Sequence, residues 1–411
     1  MYTYKYIRTI ITLLLFLMLT GCDPAQELPE TPVAETPIAS PFTPTVLPAA
    51  QLPVAQALPE EVVQNLEDEM ARQLLQERRE EAMISGHSGN KLSLPRLVPS
   101  TPAQLSPEWI DIISLPVEQS LQGYLDVTAE VRGHETHDFL LTLLVNGRQV
   151  SFEMGGNEAP AHLLRLPAWQ PQTFVFHLSE PLSPGLHELF FVLHDDPHSD
   201  YAEQGVLEKQ RREGMITFDT AAGRPFGRAL GIRHFVLVGD EIKPPPLVVN
   251  WEVEPFVPQQ TDLLGAPLLI SLTGDETDPL MQREPAIVAG DDQPLYAFVN
   301  VPAFPEGLET MTAVIVAILD NQQVKINGQE MLSFQAHPGD YYRFPLEIDW
   351  PDIVYEGNVH QLFVGIFFAA AGEWQQLEKE SASPFLLPYF ARPVMVVPEP
   401  AMIDYIKNGT E

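Results

Sequence analysis

Two apolar runs, each closed by a turn suited to a hairpin, narrow the fold of this chain more than any other feature. The first is Phe139-Leu-Leu-Thr-Leu-Leu-Val145, followed by Asn146-Gly147 and then by Gln149-Val-Ser-Phe152. Asn-Gly accepts the positive φ angles of a type I′ turn, whose twist matches that of paired antiparallel strands. The second is Ala313-Val-Ile-Val-Ala-Ile-Leu319, which leads into Asp320-Asn321-Gln-Gln-Val324. Thr173-Phe-Val-Phe-His-Leu178, a Pro184-Gly185 turn, Leu189-Phe-Phe-Val-Leu193 and Ile232–Val238 continue the texture. Short strands with frequent turn signals indicate an all-β sandwich or barrel and argue against a parallel α/β sheet.

The two runs read as halves of a tandem duplication. Gly185-Leu-His187-Glu-Leu-Phe190 corresponds to Gly357-Asn-Val-His360-Gln-Leu-Phe363. Val150 lies 37 residues before His187, and Val324 lies 36 before His360. The expected units are two antiparallel β-sandwich domains of ordinary size, residues 108–243 and 244–400, followed by a tail at 401–411. Pro244-Pro245-Pro246 marks the join. His187 and His360 recur beside turns, which points to a ring bonding a turn carbonyl at a strand start. Catalysis would need a partner arrangement that the sequence does not display.

Upstream, Lys5 and Arg8 precede a short apolar stretch, Ile10–Leu19, and then Leu19-Thr20-Gly21-Cys22. A basic start, an apolar middle and small residues are the layout of a secretory signal peptide, here residues 1–21. The stretch is about half of the ~20 residues that span a bilayer, and Asp23, Pro24 and a polar tract follow it. The segment resembles the lipobox of bacterial lipoproteins. That resemblance implies cleavage before Cys22, a diacylglycerol on its thiol with palmitate-type acyl chains, and anchoring to the outer face of a cell membrane. Asp23 resembles the inner-membrane retention signal of some of these proteins. Cys22 is the only cysteine in the chain, so the fold must rest on core burial, with neither disulfides nor cysteine-based zinc sites.

Residues 22–58 read as a disordered tether, with prolines at 24, 29, 32, 37, 41, 44, 48 and 53. Proline removes a donor and holds its predecessor extended; at ~3.1 Å per residue such a segment reaches roughly 100 Å. Residues 59–84 read as one amphipathic helix. Pro59, Glu60 and Glu61 mark its start, Val63, Leu66, Met70 and Leu74 form a stripe, and Gly86 offers a stop. Residues 85–107 read as a second linker. The formal charge of −33, from 23 Lys and Arg against 56 Asp and Glu, repels nucleic acid and anionic headgroups. Its plainer meaning is solubility.

Within the folded part, Phe174-Val-Phe-His-Leu178 and Pro184-Gly185-Leu-His187 are similar to secreted Ig-like or galactose-binding-like sandwiches. Arg228-Ala-Leu-Gly231-Ile-Arg-His-Phe-Val-Leu237 resembles the closing strand of jelly-roll modules in carbohydrate-related proteins. The second unit has no counterpart of the Arg-x-Leu-Gly phrase. These resemblances imply a sandwich and carry over no binding residue.

Three groups of residues are candidates for chemistry. His194, Asp195, Asp196, His198 and Asp200 form the densest ligand-type cluster, able to offer imidazole and carboxylate to zinc or calcium. Their spacing matches neither an EF-hand loop nor an HExxH helix, and a solvated acidic loop is the plainer reading. His134-Glu-Thr-His137-Asp138 is a similar, poorer case, and the metal reading gains if both segments meet at one end of a sandwich. Arg224, Arg228 and Arg233, with Lys209, Arg211 and Arg212 nearby, suit an anion or a carboxylate-bearing glycan, or else pair with the surplus acids. Gly223-Arg-Pro-Phe-Gly227 lacks the Lys-Ser/Thr of a P-loop. There is no Gly-x-Ser-x-Gly elbow, and Asp291 and Asp292, being adjacent, point to opposite faces of a strand.

The expected function is a lipid-anchored extracytoplasmic protein that displays tandem sandwiches for binding a glycan, a cell-wall component or a protein, without catalysis. No nucleic-acid partner is expected, and no cofactor beyond a candidate Ca or Zn. The alternatives are an assembly lipoprotein acting through the 59–84 helix, and a metal-dependent enzyme centred on residues 194–200.

Overall fold

The computed structural model describes residues 52–66, 83–85, 91–93, 96–98, 101–102, 112–128, 136–167, 169–195, 229–239, 249–256, 269–273, 286–290, 295–301, 309–352, 360–368, 389–391 and 394–397. All belong to one unit, Pro44–Glu411. The leader, Cys22, the first part of the tether and the C-terminal tail lie outside the described residues.

The first sandwich opens with β1 (Met83–Ser85), β2 (Lys91–Ser93), β3 (Arg96–Val98) and β4 (Thr101–Pro102). There follow β5 (Ile112–Leu115), β6 (Gln122–Thr128), β7 (Thr136–Val145), β8 (Arg148–Gln149), β9 (Phe152–Met154) and β10 (Asn157–Ala159). It closes with β11 (Ala161–Pro167), β12 (Gln172–His177), β13 (Gly185–Asp195) and β14 (Leu230–Val238). The second sandwich holds β15 (Pro255–Phe256), β16 (Leu269–Thr273), β17 (Ala286–Val288), β18 (Leu295–Asn300) and β19 (Met311–Leu319). It continues through β20 (Gln322–Val324), β21 (Leu332–Ala336), β22 (Tyr341–Leu346), β23 (His360–Phe368), β24 (Tyr389–Phe390) and β25 (Val394–Val397).

Two sheets make each sandwich. In the first, β1-β2-β6-β12-β9-β10 faces β11-β7-β13-β14-β5-β4; in the second, β15-β22-β18-β16 faces β17-β25-β23-β19-β20. The all-β class is as the sequence indicates. An isolated bridge from Val54 to Leu163 is parallel. Among the described residues, pairing between strands is antiparallel except at β5–β14 and β17–β25, which are parallel. This exception itself repeats: His187 pairs with Val236, and His360 with Val396. Ile113 then lies beside Val236, as Ile287 lies beside Val396. The duplication is therefore written in the register of the sheets.

Three boundaries differ from the expectations. Residues 85–107 are not a plain linker, because β2, β3 and β4 pair with β6 and β5. The first sandwich thus begins before residue 108. The helix is described over residues 60–66 only, and Met83 and Ile84, expected at its end, belong with Ser85 to β1, which pairs with β2. Pairing with a neighbouring strand overrides the local helix propensity of these residues. Nor is the tether free over its last part. Ala55 N donates to Leu163 O at 2.9 Å, Leu163 N to Pro53 O at 3.0 Å and Leu58 N to Thr173 O at 2.8 Å. Leu52 is buried with Leu140, Ala161 and Leu163. Extended, proline-rich backbone has the shape of a strand, and β11 is an edge with donors and acceptors to satisfy.

Alternation explains how the halves join. Phe139, Leu141, Leu143 and Val145 of β7, with Leu189, Phe191 and Leu193 of β13, fill the first core against Phe152, Phe174 and Phe176. The other face of these strands carries Leu144, Phe190 and Val192, which pack on Val314, Val316, Ile318, Phe363 and Phe367. Ala313, Ile315, Leu362, Val364 and Ile366 point the opposite way, into the second core. The sandwiches thus lie back to back, and β7, β13, β19 and β23 are covered on both faces. That is why these runs lack the polar alternation of a half-exposed strand.

A pseudo-two-fold polar lock sits beside the apolar contact. Gln149 N donates to Gln323 Oε1 at 2.6 Å, and Gln323 N to Gln149 Oε1 at 2.6 Å. Gln149 Nε2 donates to Asn321 O at 2.7 Å and Pro160 O at 2.9 Å. Gln323 Nε2 donates to the equivalents, Gly147 O at 2.8 Å and Glu330 O at 2.9 Å. Gly147 belongs to this contact: at φ +81 a Cβ would be strained and would meet Met331 Sδ at 3.1 Å and Phe367 Cζ at 3.2 Å.

Candidate functional site

Strand register brings several chain connections to one end of the first sandwich. Pro167, ending β11, lies opposite Thr136, which begins β7. Asp195, ending β13, lies opposite Phe139, and Leu230, beginning β14, opposite Leu193. In the facing sheet, Gln172 at the start of β12 lies opposite Val127 near the end of β6. The connections 129–135, 168–171 and 196–228 therefore leave at this end. Loops held on a rigid sandwich are where binding residues are usually built.

The bases of the two His- and Asp-bearing segments are brought together here. His137 on β7 lies opposite Leu166, two residues from the Phe139–Asp195 pair. His134, Asp196, His198, Asp200, Arg224 and Arg228 lie outside the described residues. Asp138 meets Arg165 in a bidentate pair, Nε to Oδ1 at 2.8 Å and Nη2 to Oδ2 at 2.9 Å.

Two expected site residues are placed differently from a solvent-facing ligand. His194 is a strand residue, 1% exposed, its ring 4.5 Å from that of Phe363 in the contact between the sandwiches. Arg233 is also interior. Its Nη2 lies 2.7 Å from Glu188 Oε2, with side-chain exposures of 0% and 2%. The guanidinium is ringed by Phe190, Phe235 and Phe367 at 5.1, 4.9 and 5.7 Å. Burial pulls its pKa below the ordinary value, and the charge of Glu188 opposes that. Arg233 thus belongs with the arginines paired to acids, because its place on β14 turns it inward.

His187 and His360 take structural positions. Asn146 Nδ2 donates to His187 Nδ1 at 3.0 Å, leaving Nε2–H to donate to Ser183 O, a turn carbonyl, at 2.6 Å. Asn146 Oδ1 accepts from Glu188 N at 2.9 Å. In the second half Asp320 replaces Asn146: its Oδ2 lies 2.6 Å from His360 Nδ1, and its Oδ1 accepts from Gln361 N at 2.8 Å. Asparagine makes Nδ1 an acceptor, whereas a carboxylate makes it a donor. The two halves therefore use Nδ1 of the ring in opposite hydrogen-bond roles in one geometry. Burial lowers the His187 pKa, partly offset by the Ser183 bond.

One residue at the loop end was not apparent from the sequence. Trp169 stands in the β11–β12 turn at φ +64, 58% exposed. Gln170 N reaches Pro167 O at 3.4 Å across this turn. The left-handed region costs a non-glycine residue on the order of 1–3 kcal/mol. Five described non-glycine residues have positive φ; Asn146, Asp320 and Asn327 tolerate it through short polar side chains, leaving Glu118 and Trp169. Its counterpart shows what the turn prefers. His137 pairs with Leu166 and Met311 with Ala336, so Trp169 is equivalent to Gly339, at φ +77 in a turn where Asp340 N reaches His337 O at 3.3 Å. The signal was in the sequence, but only a residue-by-residue alignment of the halves exposes it.

No protein-family model and no curated protein matches the chain. Among solved structures it is similar to the C-terminal domain of the Streptococcus agalactiae AgI/II polypeptide BspA, at 6% identity and a TM-score of 0.18, covering 69% of this chain and 94% of that one. It is similar to native E. coli alpha-2-macroglobulin at 10% identity and a TM-score of 0.21, covering 74% of this chain and 17% of that one. For the periplasmic chaperone SfaE the values are 10%, 0.17, 70% and 97%. Likenesses at these TM-scores carry no functional argument, and the reading of the site rests on the residues above.

Proposed function

We propose that this chain is a lipid-anchored, extracytoplasmic display protein. Its two fused sandwiches are carried on a proline-rich tether from an acylated Cys22. They bind a glycan, a cell-wall component or a protein and perform no chemistry. The observation that supports this most is the join between the sandwiches. Packing over Phe190, Phe363 and Phe367 and the reciprocal Gln149–Gln323 bonds hold the body rigid. The strand ends from which three connections depart are thereby held in a fixed orientation, which lowers the ordering cost of binding.

The anchor is tested by Cys22→Ser. The wild-type chain is expected in the membrane fraction with incorporated palmitate label, and the variant in the soluble fraction without it. A variant that stays with the membrane would remove the anchor from the proposal.

One observation favours a second reading. The segments carrying His134 and 196–200 leave the same end of the sandwich, so a calcium or zinc ion could bridge them without help from His194. Metal in a one-to-one ratio by elemental analysis of the pure chain would support this, and its absence would remove it.

A further inference from the structure

We propose that Leu52–Leu58 is a detachable clasp, which opens while the two sandwiches stay folded; its use in lengthening the tether rests on the display reading. The molecule supplies its own comparison, because the second sandwich carries a strap at the same place. Ala55 N donates to Leu163 O at 2.9 Å, and Trp251 N to Ser333 O at 3.1 Å. The register that matches Leu166 with Ala336 makes Leu163 the equivalent of Ser333. Further along, Leu58 N donates to Thr173 O. Thr173 is the equivalent of Arg343, next to which Tyr342 pairs with Pro255. Both contacts give one alignment: Ala55 with Trp251, Ala57 with Val253 and Pro59 with Pro255. Each unit thus opens with a strap that runs from an edge strand of one sheet, β11 or β21, to the facing sheet at β12 or β22.

The backbone bonds of the two straps are alike, but the side chains fasten them differently. In the second, Trp251 and Val253 pack on the core, the Trp251 ring 6.0 Å from that of Phe344. Asn250 adds a polar clamp: Ser333 N donates to its Oδ1 at 2.8 Å, and its Nδ2 donates to Met331 O at 2.9 Å. Phe256 follows, with Phe298 at 6.0 Å and the Arg343 guanidinium at 4.7 Å from its ring. The first strap offers Ala55 and Ala57 where its twin has Trp251 and Val253. Val54, 38% exposed, stands in place of Asn250. Its one large buried side chain is Leu52, which rests on Leu140, Ala161 and Leu163. Segments with few buried apolar contacts open locally, below the free energy of global unfolding. Opening uncovers those three residues and the edge of β11. It also releases residues 52–58, which at ~3.1 Å each add about 20 Å to the tether's reach.

Amide hydrogen exchange on the full chain, resolved at Ala55 and Trp251, tests this, since the two residues make the equivalent bond. Protection at Ala55 is expected to be lower than at Trp251 by roughly tenfold or more, and insensitive to low urea, as for a local opening. Leu52→Ser should lower protection at Ala55 and Leu58 by about tenfold again, with the amides of β13 and the melting temperature close to wild type. Asn250→Ala should bring Trp251 towards the Ala55 value. Equal protection in the two straps, exchange at Ala55 that follows global unfolding, or exchange there as fast as in an isolated peptide of residues 50–60 would each overturn the clasp. Exchange is read without reference to the anchor. Equal protection therefore removes the clasp and leaves the display reading standing, whereas a Cys22→Ser variant that stays with the membrane removes the anchor and leaves the clasp.

Discussion

Several histidines of this protein are buried, and His234 shows the consequence for its charge most clearly. It is buried on β14, and desolvation by that burial pushes its pKa down to about 4. Burial also lowers His162 and His187. A folded-state pKa below the unfolded value of 6.5 means that the unfolded chain takes up the proton first. Stability is therefore complete above pH 6.5 and declines as pH falls towards 4. A shift of that size corresponds to about 3 kcal/mol for His234. Denaturant melts of wild type and His234→Leu at pH 7, 5.5 and 4 should show the difference in unfolding free energy moving by that amount in favour of the variant. A constant difference would show that His234 is not held neutral. The role of His187 was legible in the sequence, since a histidine recurring beside a turn suggests a ring that bonds a turn carbonyl, here Ser183 O; His360 meets the Asp320 carboxylate, which that reasoning did not name. Trp169 was not legible, since a strained φ has no composition signature and shows only once register aligns it with Gly339.

Strands were the most readable part of the chain, and their second faces the least. Phe139–Val145 and Ala313–Leu319 announce themselves as strands by β-branched and apolar content. Their lack of alternation says that both faces are covered without naming the cover, which here is the other sandwich. Elements of two or three residues, such as β3 and β4, fall below any periodicity window. The docked part of the tether was hidden for a different reason: Leu52 and Ala55 are buried because β11 offers an open edge, a property of the sheet. The lock between the halves gives a sharp expectation. Gln149 and Gln323 each bond the other's backbone, so removing either strips partners from both. In a double-mutant cycle, Gln149→Ala with Gln323→Ala should cost less than the sum of the single changes by about 0.5–3 kcal/mol. Additivity would mean that the two residues act separately.

The join between the sandwiches also contains a charge pair whose energetics differ from its appearance. Arg233 and Glu188 are fully enclosed, so their attraction is set against the cost of removing both from water. Glu188→Ala alone removes the carboxylate that faces this buried guanidinium and should destabilise the protein by about 3–5 kcal/mol. Replacing both, Glu188→Leu with Arg233→Met, should come close to wild type in a thermal melt. A double variant as unstable as the single one would show that the pair contributes net stability. An interface that maps onto itself when the halves are exchanged, as Gln149 and Gln323 do here, is the kind a symmetric homodimer uses. In such a dimer the partners must find each other by concentration, and every substitution appears twice. A single polypeptide escapes both constraints: the second half is always present at high effective concentration, and each half can change alone. Covalent fusion is what allows one turn to keep its relaxed glycine while its twin carries a strained tryptophan, giving a symmetric frame one unsymmetric face.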